Sequence, residues 1–312
     1  MKTKLLILGS SGMVGSAVLK RFKKNYTYKI YNPSRKKLDL FNYKKIENYL
    51  KKIKPQIIIL CAAKVGGILA NDKYRADFMY ENLTIQNNVI YLAYKFNIKK
   101  LIFLGSSCIY PRNSKQPIKE EYLLSGYLEK TNDSYAISKI AGIKMIEAFN
   151  KQYGTNFISL MPTNIFGLND NFHEENSHVV PALIKKIYAS YIKNEKSVSL
   201  WGTGKPMRDL LFSDDLAEAI YFITKNYHGS QMLNIGSGEE ISIRNLSKII
   251  AKIIGFKGKI IFDKKYPDGT PRKILDNSKI KKLGWKKKYS LKKGLKLTID
   301  WYKYNFDKAK SI

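Results

Sequence analysis

Leu5-Leu6-Ile7-Leu8-Gly9-Ser10-Ser11-Gly12-Met13-Val14-Gly15 is the stretch that decides the fold. Leu5 to Leu8 form a short apolar run, the pattern of a strand buried on both faces. Three glycines spaced G-x-x-G-x-x-G follow, and a helical pattern then continues through Phe22. Strand, glycine turn and helix in that order open a βαβ unit. The glycines permit a tight turn and let a pyrophosphate reach the backbone amides at the helix N-terminus. A dinucleotide is therefore expected at Gly9, Ser10, Ser11, Gly12, Met13, Val14 and Gly15.

The alternation continues outward from this unit. Lys29-Ile30-Tyr31 reads as a second strand, ending at Asn32-Pro33-Ser34-Arg35. A helix over about 44–52 stops before Pro55, and Gln56 to Ala63 supplies a third apolar strand. A long helical region over 75–96 precedes a fourth strand, Leu101 to Leu104. A helix over about 134–153 and a strand over 156–161 follow. Strands and helices at this spacing predict an α/β fold with a doubly wound parallel sheet. Beyond Asn164 the pattern loosens. A polar loop over 164–177, a helix after Pro181, a strand at Ser197 to Trp201 and a helix from Asp214 are expected. So are a strand at 232–235, a helix capped by Ser242, a turn-rich loop over 269–273 and a helix over 291–304. The expected division is a dinucleotide domain over 1–165, with segments near 209–236 returning to it, and a smaller substrate lobe over 166–312.

The 312 residues are 44% hydrophobic, enough for a sizeable core. No apolar run approaches the roughly 20 residues that span a bilayer. The N-terminal apolar stretch is too short for a signal peptide and runs into the glycine loop, so no membrane insertion and a cytoplasmic location are expected. Cys61 and Cys108 make no disulfide framework, and no cluster has metal-ligand spacing. The formal charge is +31, but only seven of the 56 basic residues are Arg, and the Lys pairs are scattered along the chain. Forked phosphate recognition favours Arg. A Lys-rich solvated surface is the expected reading, with no nucleic-acid partner.

An Asp or Glu ending the second strand would select the free 2′-hydroxyl of NAD. Ser34, Arg35, Lys36 and Lys37 stand there instead. A cation suits a 2′-phosphate, so NADP is the expected cofactor, with Arg35 as its marker. Tyr135 and Lys139 lie at i and i+4, on one helix face. A nearby ammonium is expected to lower the tyrosine from its usual value of about 10, which would make it a general acid or base.

The glycine loop, Ser106 after the fourth strand, and Tyr135-x-x-x-Lys139 together resemble the short-chain dehydrogenase/reductase superfamily, in its extended, nucleotide-sugar-modifying branch with a Rossmann-type sheet. Further stretches narrow the resemblance. Ala62 to Ile68, Gly105-Ser106-Ser107-Cys108-Ile109-Tyr110-Pro111, Pro162 to Gly167, Asn176 to Leu183, Trp201 to Gly204 and Pro267 to Lys273 are similar to the GDP-L-fucose synthase family, in that family's order. The resemblance implies NADPH-dependent 3,5-epimerisation and 4-reduction of a GDP-4-keto sugar, GDP-4-keto-6-deoxy-D-mannose, to GDP-L-fucose. A related GDP-4-keto sugar such as a heptose is the alternative substrate.

It also implies roles residue by residue. Ser106, Tyr135 and Lys139 serve the reduction; Cys108 as base and His178 as acid serve the epimerisation. Leu104, Gly105, Ser106, Ser107, Lys139, Pro162, Thr163, Asn164, Ile165 and His178 join the glycine loop and Arg35 around the cofactor. Lys186, Trp201, Arg208 and Lys273 are implied for the GDP-sugar. Ser11 stands where some family members carry Arg, which leaves Arg35 as the expected 2′-phosphate partner. No residue that would activate Cys108 can be derived from the sequence. A homodimer, formed through the long helices near 75–96 and 134–153, is implied as well.

Overall fold

The computed structural model describes residues 1–173, 176–266 and 268–306. Pro267, the first residue of the Pro267–Lys273 stretch, and two residues of the 164–177 loop, Glu174 and Glu175, lie outside the described residues. The chain opens with β1 (Thr3–Leu8), α1 (Met13–Lys23), β2 (Tyr28–Tyr31), α2 (Tyr43–Ile53) and β3 (Ile57–Leu60). Then come α3 (Ile68–Lys73), α4 (Arg75–Lys95), β4 (Lys100–Leu104), α5 (Asp133–Tyr153) and β5 (Phe157–Pro162). After these, β6 (Asn164–Phe166), α6 (Val179–Ile192), β7 (Ser197–Trp201), β8 (Met207–Phe212), α7 (Ser213–Asn226) and β9 (Leu233–Ile235) follow. The chain ends with β10 (Glu240–Ser242), α8 (Ile243–Ile254), β11 (Lys259–Asp263), β12 (Arg272–Lys273), α9 (Ser278–Lys282) and α10 (Leu291–Tyr304).

The large sheet has the order β2-β1-β3-β4-β5-β9, and every pair in it is parallel. The α/β fold with a doubly wound parallel sheet is as the alternation predicts. Leu5, Leu6, Ile7, Ile58, Ile59, Leu101, Ile102, Ile158 and Leu160 are fully buried in its strands. Each such side chain is worth roughly 1.5–3 kcal/mol against exposure. Helices cover both faces, which is why these strands are uniformly apolar rather than alternating. Strand order reverses between β1 and β3, and ligands bind at the carboxyl ends of strands beside such a reversal.

Of the segment 209–236, α7 packs on α1 and β9 forms the outer strand of the large sheet. β8 instead lies in a small sheet of order β10-β8-β12, with β6 also paired to β8. The ammonium of Lys100, buried at the start of β4, donates to the carbonyls of Thr224 (3.0 Å) and Tyr227 (2.8 Å). It thereby closes the C-terminal end of α7, where orphan carbonyls favour a cation. Around the small sheet, α6, α8 and α10 build a separate core that includes Ile184, Ile187, Leu246, Ile250, Leu295 and Ile299.

Three local expectations change. α6 starts at Val179 rather than after Pro181, because proline is tolerated in a first turn whose amides lack helical partners. Arg272 and Lys273, expected in a loop, form a short strand because β8 offers a ladder edge. α3, α9 and the short strands β6, β8, β10 and β11 were not expected; segments of three to six residues carry too little periodicity to read.

Candidate active site

One cavity of about 930 Å³ runs from the β1–α1 turn, past the end of β4, to the small sheet. Its size lies at the upper end for small-molecule sites. At the first end, Gly9 has φ +85°, and a Cβ placed on Gly15 would come 2.0 Å from the Gly9 carbonyl oxygen. Turn and helix can approach this closely only without side chains. Gly12 caps α1 with no side-chain hydrogen bond, and Gly12, Met13 and Val14 line the cavity. The amides of the first turn are thus available to an anion. Arg35 reaches the same end, with its guanidinium 5.6 Å from the Phe41 ring centre. Asp39 Oδ1 accepts from the Phe41 amide (3.0 Å), a turn contact inside the chain. The residues fit a dinucleotide whose pyrophosphate lies on α1 and whose ribose carries an anionic group toward Arg35.

The middle of the cavity is formed by the end of β4 and the start of α5. Ser106 Oγ accepts from the Cys108 amide (3.2 Å), which caps a 3₁₀ turn over Ser107–Ile109. This turn points the chain away from the strand and leaves Ser106 and Cys108 at the cavity wall. Tyr135 lines the cavity beside Ser106, whose hydroxyl favours its phenolate form. Lys139 Nζ donates to the Leu104 carbonyl (2.9 Å) and lies 4.9 Å from the Phe103 ring centre and 5.9 Å from that of Tyr135.

The expected lowering of Tyr135 by Lys139 does not occur. Burial raises the phenol above its ordinary value, a charge on Cys108 raises it further, and the Ser106 hydroxyl offsets part of this. Lys139 is itself pushed down to about 8 by burial. Its ammonium is engaged by a carbonyl and a ring face, where it does little for the phenolate. A phenol held protonated at neutral pH is a proton donor, and that role remains.

His178 caps α6 and lines the cavity, where burial holds its imidazole below the usual histidine range. The Ala62–Ile68 stretch explains how it gets there. The Gly67 amide donates to the Asn176 carbonyl (2.9 Å), and a Cβ on Gly67 would stand 2.3 Å from the Ser177 carbonyl oxygen. Only a glycine lets the segment carrying His178 come this close. Asn71 Nδ2 fastens the turn through the carbonyls of Gly66 (2.7 Å) and Gly67 (2.9 Å).

At the far end, Trp201 stacks on Tyr266 (4.4 Å, 11° between planes), and Lys186 Nζ lies 4.3 Å from the Trp201 ring centre. Arg208 and Lys273 are direct neighbours across the β8–β12 ladder. Lys273 Nζ is 3.7 Å from Cys108 Sγ. The cavity wall thus brings together Ser106, Cys108, Tyr135, Lys139 and His178, the glycine loop and Arg35, Leu104 to Ser107, Pro162 to Ile165, and Lys186, Trp201, Arg208 and Lys273.

Sequence reasoning missed several cavity residues. Tyr266 directly precedes a stretch that was read, so its aromatic ring was the available signal. Asn132 Oδ1 and Ser177 Oγ are buried without a partner among the described residues, and both residues line the cavity; they can serve a ligand's hydroxyls. Cys61, read as core, also lines the wall, but burial pushes its thiol up to about 12 and leaves it unreactive. No group of metal-ligating side chains occurs among the described residues.

Comparison with known proteins fits this geometry. The model of the NAD dependent epimerase/dehydratase family matches residues 5–236, from β1 past β9. The chain belongs to that family. Within the family it is 48% identical over 302 residues to GDP-L-fucose synthase 1 of Arabidopsis thaliana, covering 97% of this chain and 94% of the relative. Two solved structures are also similar. A GDP-6-OMe-4-keto-L-xylo-heptose reductase from C. jejuni superposes with a TM-score of 0.91 at 37% identity, covering 97% of this chain and 98% of that one. A GDP-L-fucose synthetase from Naegleria fowleri bound to NADP superposes with a TM-score of 0.91 at 28% identity, covering 98% and 96%.

Proposed function

We propose that the chain is an NADPH-dependent 3,5-epimerase/4-reductase that converts GDP-4-keto-6-deoxy-D-mannose to GDP-L-fucose. The observation that carries this is one cavity lined by both a Ser106–Tyr135–Lys139 set and a Cys108–His178 pair, in a chain 48% identical to a GDP-L-fucose synthase. The presence of both Cys108 and His178 argues against a pure reductase.

The roles follow from the chemistry. The 4-keto group acidifies the protons at C3 and C5. Cys108 as thiolate removes one, and His178 returns one from the opposite face at each carbon. Burial keeps the imidazole neutral in the free protein, so enolate and diphosphate charge must favour its protonation when substrate is bound. For reduction, NADPH supplies hydride to C4. Tyr135 gives its proton to the developing alkoxide, and Ser106 hydrogen-bonds the same oxygen. Lys139 stands beside them, where it can hold the nicotinamide ribose. Gly9 to Gly15, Arg35, Leu104 to Ser107 and Pro162 to Ile165 hold the cofactor. Residues 1–165 act mainly as its domain, and 166–312 mainly hold the GDP-sugar, with Lys186, Trp201, Arg208 and Lys273 toward the nucleotide and diphosphate and Tyr266 extending the aromatic surface.

Incubation with NADPH and GDP-4-keto-6-deoxy-D-mannose is expected to consume NADPH and yield GDP-L-fucose. No NADPH consumption and no such product would overturn the reading. The similarity to a heptose reductase favours a second arm with a GDP-4-keto-heptose, and preferential turnover there would move the substrate to that sugar.

The same reading makes the chain a homodimer in the cytoplasm. α4 and α5 pack side by side and leave Tyr80, Tyr91, Ile137 and Tyr153 exposed, a surface suited to a second copy. Among the described residues no helix is long and apolar enough to cross a membrane. Elution from a sizing column at twice the 35.9 kDa chain mass is expected, and elution at that mass would overturn the dimer.

A further inference from the structure

We infer that Lys273 is a positioning residue for Cys108: its ammonium donates to the sulfur and favours negative charge there, and Gln116 holds Lys273 in place to do so. This rests on the proposed epimerase function and deepens it, because it supplies the activator that a thiol base needs.

Lys273 Nζ is 3.7 Å from Cys108 Sγ, within hydrogen-bond reach of sulfur. Four features fix the segment that carries it. β12 pairs with β8, so Lys273 lies directly opposite Arg208. Gln116 brackets the residue: its Nε2 donates to the Arg272 carbonyl (3.2 Å), and its Oε1 accepts from the Ile274 amide (2.9 Å). Arg272 is held in turn by both carboxylate oxygens of Glu240, at 2.8 and 2.9 Å. Immediately after the strand, the Ile118 amide donates to the Ile274 carbonyl (2.8 Å) and the Asp276 amide to the Ile118 carbonyl (2.8 Å). The segment carrying Gln116 and Ile118 follows directly on the turn that carries Cys108. The cation and the thiol are therefore set by one continuous network, not by a flexible lysine that drifts into contact.

Among the described residues, Lys273, Arg208 and Tyr135 are ionisable groups that interact with Cys108. The two cations favour negative charge on sulfur. Tyr135 stays neutral at working pH and contributes no charge. A lysine that served only the diphosphate would not need its backbone bracketed beside the thiol.

The test is alkylation of Cys108 by iodoacetamide in the free protein across a pH series, read by peptide mass spectrometry that separates Cys108 from Cys61. Lys273→Met is expected to slow Cys108 alkylation about tenfold at neutral pH, the effect of removing one cation at this range. Lys273→Arg should keep a rate near that of the parent protein. Gln116→Ala leaves both charges in the chain but loosens the bracket, and should slow alkylation by an intermediate factor. Retained NADPH binding, read by its fluorescence, reports a folded protein. Deuterium wash-in at C3 and C5 should then show kcat falling in Lys273→Met by more than KM rises.

Unchanged alkylation in Lys273→Met overturns the inference, as does an effect confined to KM. Alkylation uses no sugar, so its outcome is separate from the function. If the parent protein washes deuterium into no GDP-4-keto sugar, the epimerase reading falls, and with it the catalytic purpose assigned to Lys273.

Discussion

Replacing Cys108 by Ser is expected to stop deuterium exchange at C3 and C5 of the GDP-4-keto sugar while NADPH still binds. The cofactor end of the cavity is built by the β1–α1 turn and Arg35, which the substitution leaves untouched. What is lost is the base. A serine hydroxyl fits the same 3₁₀ turn, and the backbone amide of residue 108 still donates to Ser106 Oγ. But a hydroxyl is not ionised at neutral pH, and the neighbouring cations cannot make it so. Removing a general base costs about 10²–10⁴-fold, and loss of exchange of that order is the expected result. Exchange at the rate of the parent protein in Cys108→Ser would take the thiol out of the mechanism.

Tyr135→Phe should show the opposite pattern. The ring keeps its edge contact with Phe78 at 6.2 Å and its place beside Lys139, so the wall of the cavity is preserved. The proton for the C4 alkoxide is gone, and Ser106 is left as the only hydroxyl of the pair. Reduction is expected to fall by about 10²–10⁴-fold, while deuterium exchange persists within a few-fold. Reduction at an undiminished rate would refute the assignment. In the parent protein burial keeps Tyr135 protonated well into the alkaline range, whereas Lys139 is pushed down to about 8. A lysine loses its charge as pH rises through its pKa, so the alkaline decline of kcat/KM for reduction should centre near 8 and report Lys139 rather than Tyr135.

The fold was largely legible because its signals are local. Leu5 to Leu8, Ile57 to Leu60 and Leu101 to Leu104 are uniform apolar runs, each followed by small or polar residues. Glycines at 9, 12 and 15 admit one arrangement of strand, turn and helix. The residues of the candidate site were legible through short motifs at strand and helix ends. What the motifs could not convey was how those residues meet. Lys273 and Cys108 are brought together by β12, two residues long and formed only because β8 templates it. Its own composition, Arg and Lys, argues for a solvated loop. The relation of Tyr135 to Lys139 was misread for a similar reason. Spacing along a helix places two side chains on one face but says nothing of the Leu104 carbonyl and the Phe103 ring that take up the ammonium. His178 was legible as a residue, but its closeness to the rest depends on Gly67 meeting Ser177 across two loops far apart in the chain.

The placement of β9 has a consequence for biosynthesis. The outer edge of β5 is matched by Leu233–Ile235, and α1 rests on α7. Both pieces are translated after β6, α6, β7 and β8 of the small lobe. A nascent chain that has completed β5 therefore carries an unmatched ladder edge and one bare helix face until residue 235 has emerged. The large parallel sheet therefore cannot be completed until β6, α6, β7 and β8 of the other lobe have been made.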